Sequence, residues 1–174
     1  MIDYFTQQRL SNAIAKGLTD NIDSWFTDTG IDKCCTGPLW ENRPDINLWT
    51  WVIYDRENHP DDRTILRFQE FNQLVSQIPE VIATHMAFIG PNSVVPKHGD
   101  STARGRNPTL EYNLLLGCVA PTSPLKDVVL DVMGIETPIV KGRGILFDGE
   151  KDHWAYNNTD KWVVTSTLYI RGIK

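Results

Sequence analysis

The stretch GILFDGEKDHWAYNNTDKWVVTSTLYI, residues 144–170, contains the pattern that decides the fold class. Its two ends, Gly144–Phe147 and Trp162–Ile170, are rich in β-branched and aromatic residues, which favour extended backbone. Between these ends, residues 157–160 (NNTD) are of the types that form tight turns. Short apolar runs separated by turn residues predict strands rather than long helices.

The same pattern extends back along the chain to about residue 81. Clusters of turn-forming residues, such as Gly90-Pro91-Asn92, separate the strand-like runs there. Many short strands joined by short turns are typical of a β-sandwich or a partly open barrel. We therefore predict a mainly β fold, with a double-sheet core and α-helices packed outside one sheet. The further predicted strands are Val81–Ile89, Tyr112–Val119 and Val128–Met133.

The first 80 residues have a different pattern, because apolar residues recur in two places at the spacing of a helix. The predicted elements in this part are helices over Asp3–Lys16 and Thr64–Gln77, a strand over Leu48–Tyr54, and irregular backbone over residues 21–44. A chain of 174 residues has the size of one domain. We expect a single domain over residues 1–174, in which a helical and irregular part, residues 1–80, packs on a β core, residues 81–174.

The overall charge and hydropathy exclude some classes of partner. The formal net charge is -5, with no clustered basic face of the kind that a nucleic-acid backbone requires. No apolar run approaches the roughly 18 residues that span a bilayer, and the N-terminal MIDYFTQQRL lacks the apolar core of a signal peptide. We expect a soluble, cytoplasmic protein with no nucleic-acid or membrane partner.

Two of the four histidines have sequence contexts that suit a metal site. His98 lies in VVPKHGD, and Asp100 follows two residues later, so both side chains point to one side if the backbone is extended. His153 lies far along the chain, in a predicted turn between two core strands. Two imidazoles and one carboxylate form the facial triad of non-haem Fe(II) oxygenases. We predict that these three residues, called the triad below, are the metal ligands and catalytic residues within the β core.

Two stretches resemble the aspartyl/asparaginyl β-hydroxylase family, whose members are Fe(II)/2-oxoglutarate-dependent oxygenases. The first is IGPNSVVPKHGDS, residues 89–101, which is similar to the family's Pro-rich approach to its first iron-binding histidine. The second is GRGILFDGEKDHWAYNNTD, residues 142–160, which is similar to the segment that carries the second histidine. LEYNLLLGCVAP, residues 110–121, resembles the connecting core strand. The resemblance implies a double-stranded β-helix (a cupin-like jelly roll), Fe(II) bound by His98, Asp100 and His153, and 2-oxoglutarate and molecular oxygen as co-substrates.

The co-substrate site departs from the pattern that the resemblance implies. The family's core strand carries an arginine and a histidine that help to hold 2-oxoglutarate, whereas this chain has Glu111 and Asn113 at the matching positions. A carboxylate cannot bind another carboxylate, while arginine does so through two parallel charged hydrogen bonds. The cation that binds the co-substrate is therefore expected elsewhere. The candidates are Lys161, Arg104, Arg106 and Arg143.

The resemblance implies a hydroxylase that acts on an aspartyl or asparaginyl side chain of a protein, or on a related free amino acid. Candidate substrate contacts are Glu111, Asn113, Arg104 and Trp154. Two alternatives stay open, namely a degenerate jelly-roll binding protein without turnover and a metal-dependent cupin-type enzyme that does not use 2-oxoglutarate. Glu111 favours the first alternative. A water molecule in place of Asp100 is the alternative third iron ligand.

Overall fold

The computed structural model describes residues 2–18, 32–33, 48–100, 111–119 and 127–171. Within these ranges the helices are α1 (Tyr4–Gly17), α2 (Asp62–Arg67) and α3 (Gln69–Ser76). The strands are β1 (Asp32–Lys33), β2 (Leu48–Asp55), β3 (Val81–Ile89), β4 (Ser93–His98), β5 (Glu111–Val119), β6 (Val128–Val132), β7 (Ile135–Pro138), β8 (Gly144–Asp148), β9 (His153–Asn157) and β10 (Val163–Arg171).

The strands form two antiparallel sheets that pack against each other. One sheet has the order β1-β2-β3-β10-β5-β8, and the other has the order β4-β9-β6-β7. Leu115 and Phe147 of the first sheet pack in one apolar cluster with Leu130 and Ala155 of the second. Burying each large apolar side chain contributes about 1.5–3 kcal/mol, which makes this cluster a main source of stability. The predicted mainly β, double-sheet core is confirmed.

The helices cover the outer face of the six-stranded sheet, as the sequence predicted. Ile14 of α1 and Phe71 of α3 are fully buried against Leu116 and Leu168 of the sheet. The side chain of Ser11 in α1 donates a hydrogen bond to the backbone carbonyl of residue 117, at 2.8 Å, which ties the helix to β5. No helix in the ranges given above is long and apolar enough to cross a membrane.

The second predicted helix, over residues 64–77, is divided into α2 and α3 at Phe68. Helical hydrogen bonds continue through this position, from Phe68 N to the Thr64 carbonyl at 3.0 Å and from Asn72 N to the Phe68 carbonyl at 2.8 Å. Phe68 is only 1% exposed, and its ring packs edge-on against Trp51 of β2 with centroids 5.2 Å apart. Regular helical geometry is therefore interrupted at Phe68, which has φ -106° and ψ 31°, where its side chain inserts into the core.

The first 80 residues contribute strands to the core as well as helices packed on it. β2, which matches the strand predicted over Leu48–Tyr54, pairs with β3 in the interior of the six-stranded sheet. Most of the backbone predicted to be irregular, residues 21–44, lies outside the described residues; Asp32–Lys33 within it pair with β2. The strands β4, β7 and β9 were not predicted, because each is short and contains proline or several polar residues.

Candidate metal centre

The two predicted histidine ligands lie side by side on neighbouring strands. His98 is the last residue of β4 and His153 is the first residue of β9, and the antiparallel register pairs them directly. Their ring centroids are 4.4 Å apart. His153 is therefore a strand residue, and its predicted position in a turn was wrong. Strand pairing, rather than a local sequence motif, brings the two rings together.

A β-bulge at Pro96 sets the position of His98. Val95 pairs with Ala155 and His98 pairs with His153, so β4 has one more residue than β9 between these two pairs. Proline cannot donate a hydrogen bond to a neighbouring strand, and it is tolerated in sheets at edges and bulges. β4 is an edge strand of its sheet. The proline therefore fixes where the ladder is interrupted and where His98 emerges.

Both imidazole rings are oriented by the same local hydrogen bond. His98 Nδ1 lies 2.6 Å from the carbonyl oxygen of Pro96, and His153 Nδ1 lies 2.8 Å from the carbonyl oxygen of Lys151. A carbonyl oxygen only accepts, so Nδ1 carries the proton in each ring and Nε2 has the lone pair when the ring is neutral. A second hydrogen bond that fixes the tautomer in this way is typical of metal-binding histidines.

Asp100 completes a cluster of three ligand atoms. One carboxylate oxygen, Oδ1, lies 3.5 Å from Nε2 of His98 and 3.9 Å from Nε2 of His153. The three groups have ligand atoms within 4.8 Å of one another. Bonds of about 2.1 Å at right angles would place neighbouring ligand atoms about 3.0 Å apart. Sharing one ion would require the two carboxylate–imidazole distances to contract by about 0.5–1 Å, and the widest separation in the cluster by at most about 1.8 Å.

The segment that carries Asp100 is fixed by the turn that precedes β9. Asp100 N donates a hydrogen bond of 2.8 Å to the carbonyl oxygen of Gly149. Gly99 allows this close approach, because a Cβ atom at that position would lie 2.8 Å from the Glu150 carbonyl oxygen. The other carboxylate oxygen of Asp100, Oδ2, accepts a hydrogen bond of 2.5 Å from Nδ2 of Asn113 on β5.

The three ionisable groups affect one another's protonation. Burial favours the neutral form of His98, but hydrogen bonds to Asp100 and to the Pro96 carbonyl outweigh it and raise the pKa of His98 above its usual 6.5. Burial lowers the pKa of His153, and the nearby charge of His98 adds to this shift. Burial alone would raise the pKa of Asp100, but its hydrogen bond with His98 and the charge of His153 lower it. The carboxylate of Asp100 therefore favours the protonated form of His98, and His98 in turn favours the ionised form of Asp100.

The cluster is closed on one side and partly open on the other. The side chain of His153 is 7% exposed, whereas those of His98 and Asp100 are 22% and 24% exposed. Phe147 packs edge-on against the His153 ring with centroids 4.9 Å apart, and thereby covers the inner side. A ligand from solvent can therefore approach from the side of His98 and Asp100.

The six-stranded sheet carries further polar residues on the same face as Asn113. Tyr169 of β10 pairs with Asn113 of β5, and its ring lies 5.2 Å from that of His85 on β3. Sequence alone indicated only that His85 was a packed or partly exposed strand residue. The order of β3, β10 and β5 in the sheet was needed to bring these residues to one region.

The structure does not bring the predicted co-substrate cations it describes to the triad. The Lys161 carbonyl accepts a hydrogen bond from Asn157. Asn157 is the last residue of β9, four residues and about 13 Å along the strand from His153. Arg143 is exposed and directly precedes β8, whose first residue pairs with Leu116 of β5. Leu116 lies about 10 Å along β5 from Asn113, which faces the triad. Arg104 and Arg106, and the side chain of Glu111, lie outside what the structure describes.

Two further expectations differ from what the structure places at the site. Trp154 alternates with His153 along β9 and stacks near Tyr156, with ring centroids 5.2 Å apart, so it faces away from the triad. Trp154 was therefore wrongly predicted as a substrate contact. Asn113 does lie at the site, but it contacts Asp100.

A separate groove of about 460 Å³ lies on the other face of the six-stranded sheet. Its lining includes Ile78 from the α3–β3 connection, Leu114 of β5 and Leu146 of β8. Leu114 packs with the helix-side core, whereas its neighbour Asn113 faces the triad. This groove is therefore separated from the triad by the sheet.

Comparisons with known proteins agree with the predicted fold and family. A model of the aspartyl/asparaginyl β-hydroxylase family matches residues 16–164. The structure of a prolyl-4-hydroxylase from Pseudomonas putida is similar at a TM-score of 0.56 and 15% identity, covering 95% of this chain and 87% of that chain. A cupin domain of an XRE-family transcriptional regulator from Enterobacter cloacae covers 71% of this chain and 95% of its own, at a TM-score of 0.44 and 11% identity. No curated protein sequence matches the chain significantly. The predicted double-stranded β-helix, a cupin-like jelly roll, is confirmed.

Proposed function

The chain belongs to the aspartyl/asparaginyl β-hydroxylase family, and on that premise we propose that it is an Fe(II)/2-oxoglutarate-dependent dioxygenase. Its substrate would be an aspartyl or asparaginyl side chain of a protein, or a related free amino acid. One observation carries the proposal, namely that Oδ1 of Asp100 lies 3.5 Å from Nε2 of His98 and 3.9 Å from Nε2 of His153, in a cluster whose ligand atoms lie within 4.8 Å of one another.

The chemistry of these three groups fits Fe(II). Two neutral imidazoles and one carboxylate, with open positions beside them, are the ligands of non-haem Fe(II) oxygenases. A structural zinc site would instead use four protein ligands, commonly with cysteine. Bound Fe(II) would supply the oxygen activation that protein side chains cannot perform by themselves. His98, Asp100 and His153 would hold it.

The surrounding residues would orient the ligands and exclude water. The Nδ1–H groups of both histidines are held by backbone carbonyls, so each ring keeps Nε2 available for the metal. Phe147 covers the His153 ring and would keep water from the inner side of the site. The more exposed side, at His98 and Asp100, would receive the co-substrate and the substrate.

The cation that binds 2-oxoglutarate is proposed to come from the segment between Asp100 and β5. This segment contains Arg104 and Arg106, and it connects two parts of the chain that meet at the Asp100–Asn113 hydrogen bond. Arg104→Ala or Arg106→Ala would then raise the KM for 2-oxoglutarate at least tenfold, since a charged, bidentate contact is lost. Lys161→Ala is a suitable control, because Lys161 follows the far end of β9.

Anaerobic titration with Fe(II) and then 2-oxoglutarate tests the proposal. A visible charge-transfer band that appears only when both are present would support it, and His153→Ala should abolish the band. Succinate release in air with an aspartyl or asparaginyl peptide would extend the result to turnover. Failure of the wild-type chain to bind Fe(II) would refute the proposal.

A second candidate is a metal-dependent cupin-type enzyme that does not use 2-oxoglutarate. The positions of Lys161 and Arg143, both away from the triad, favour it. It predicts tight Fe(II) binding in the same titration with no charge-transfer band and no succinate.

A further inference from the structure

We propose that Asn113 is a positioning residue that makes Asp100 bind the metal through one oxygen only, an inference that rests on the proposed metal site. The two oxygens of Asp100 have different surroundings. Oδ1 faces Nε2 of both histidines, at 3.5 and 3.9 Å, whereas Oδ2 accepts the 2.5 Å hydrogen bond from Asn113 Nδ2. The hydrogen bond holds Oδ2 on the side of Asn113, so a rotation that brought both oxygens to one ion would have to break it.

Asn113 is itself held so that it has little freedom to release Asp100. It is 1% exposed and lies on β5, between β8 and β10 of the six-stranded sheet. Gly149 contacts its side chain closely, since a Cβ atom at position 149 would lie 2.7 Å from Nδ2 and 2.9 Å from Cγ of Asn113. The same Gly149 accepts the backbone hydrogen bond of Asp100 at 2.8 Å. One turn therefore holds both partners of the hydrogen bond.

The consequence for the site is the number of open coordination positions. An octahedral ion with two imidazoles and a carboxylate bound through one oxygen keeps three positions open, whereas a carboxylate bound through two oxygens leaves two. A co-substrate that chelates through two atoms and a molecule of oxygen together need three. Asn113 thus preserves the position that a bidentate carboxylate would occupy.

This role explains why the residue at position 113 is an amide. A neutral amide donates to a carboxylate and adds no charge to the site, and hydrogen bonds to a metal-binding carboxylate orient it and influence metal affinity. Asp100 lies on the segment that follows β4, outside both sheets. Asn113 links this segment to the rigid interior of the six-stranded sheet.

The test compares Co(II) binding and the Co(II) visible spectrum of four proteins, namely wild type, Asn113→Ala, Gly149→Ala and the double variant. Co(II) requires neither 2-oxoglutarate nor turnover, and its spectrum depends on the number and geometry of its ligands. We expect Asn113→Ala to weaken Co(II) binding about 10–100-fold, the range found for residues that orient metal ligands, and to change the spectrum. Gly149→Ala should act in the same direction, because the added methyl displaces the Asn113 side chain.

The double variant separates this mechanism from a general disturbance of the turn. Without the Asn113 side chain the methyl at position 149 has room, so Gly149→Ala should add no further loss in that background. Asn157→Ala is the matched control, because Asn157 is also a fully buried asparagine and lies at the other end of β9 from His153. It donates to the carbonyls of residues 89, 90 and 161. It should lower the Tm and leave the Co(II) spectrum unchanged.

The possible failures are distinguishable. A wild-type chain that does not bind Co(II) or Fe(II) would overturn the proposed metal site and this inference together. Normal Co(II) affinity and an unchanged spectrum in folded Asn113→Ala would overturn the role of Asn113 alone. An equal further loss from Gly149→Ala in the double variant would also overturn it, since the turn would then act without Asn113.

Discussion

Gly99→Ala should damage the metal site while leaving the fold almost as stable as before. A Cβ atom at this position would lie 2.8 Å from the Glu150 carbonyl oxygen, and ordinary contact begins near 3.4 Å. The two segments must therefore separate by about 0.6 Å, which would stretch the 2.8 Å hydrogen bond from Asp100 N to Gly149 O beyond the usual range of about 2.7–3.2 Å.

The expected effect on metal binding is larger than the effect on stability. Asp100 must move closer to both histidines to share an ion with them, so a displaced and less firmly held Asp100 should weaken metal binding at least about tenfold. Losing one backbone hydrogen bond costs about 1 kcal/mol, and the lower chain entropy of alanine in the unfolded state returns about 0.4–1 kcal/mol. The net change in the free energy of unfolding should therefore be below about 1 kcal/mol.

The assay is a Co(II) titration paired with urea unfolding of the metal-free protein. Gly134→Ala is the control, because Gly134 lies in the β6–β7 turn with a φ of +85° and nothing within 4 Å of a Cβ atom. It should lose about 1 kcal/mol of stability, since alanine is strained at this φ, and keep wild-type metal affinity. Unchanged metal affinity in Gly99→Ala would refute the reasoning.

Three further outcomes are expected. His153→Ala should abolish metal binding, because it removes a proposed ligand, and should lower the free energy of unfolding by about 1–3 kcal/mol, because the ring is buried against Phe147. A metal titration and urea unfolding measure the two effects, and full metal affinity in the variant would contradict the prediction. Thr64→Val should cost about 1–3 kcal/mol without affecting the metal site, because Thr64 Oγ1 accepts from Trp51 Nε1 at 3.2 Å and donates to Asp61; unchanged urea unfolding would contradict it. As the pH is lowered, metal affinity should begin to fall at a higher pH than an ordinary histidine would give, because the raised pKa of His98 keeps that ligand protonated up to a higher pH. A pH series of Co(II) titrations checks this, and an affinity that stays constant from pH 8 to 6 would contradict it.

Most of the secondary structure was predictable where apolar periodicity was strong. The strand predicted over Val81–Ile89 has the observed bounds, and α1 differs from its prediction by one residue at each end. β4 and β9 were missed because Pro96 interrupts one and polar residues flank the other. These two strands carry His98 and His153, so the pattern of apolar residues failed to predict the secondary structure at the candidate site itself.

The three residues of the triad were predicted from the sequence, because few residue types bind Fe(II) and this chain has only four histidines, and the structure brings these three residues together. The role of Asn113 did not. Its contact with Asp100 depends on β5 of one sheet facing the segment that follows β4 of the other, and no spacing along the chain encodes that arrangement.

The position of Lys161, one of the predicted co-substrate cations, likewise could not be inferred from its place in the sequence. Lys161 is only eight residues from His153 in sequence, yet β9 runs away from the site and carries Lys161 to its far end. By itself, the sequence determined the fold class and the chemical nature of the proposed ligands, because these follow from residue type and periodicity. Only the tertiary structure decided which residues meet and which oxygen of Asp100 faces the two histidines, because strand order and register set distances between residues that are remote along the chain.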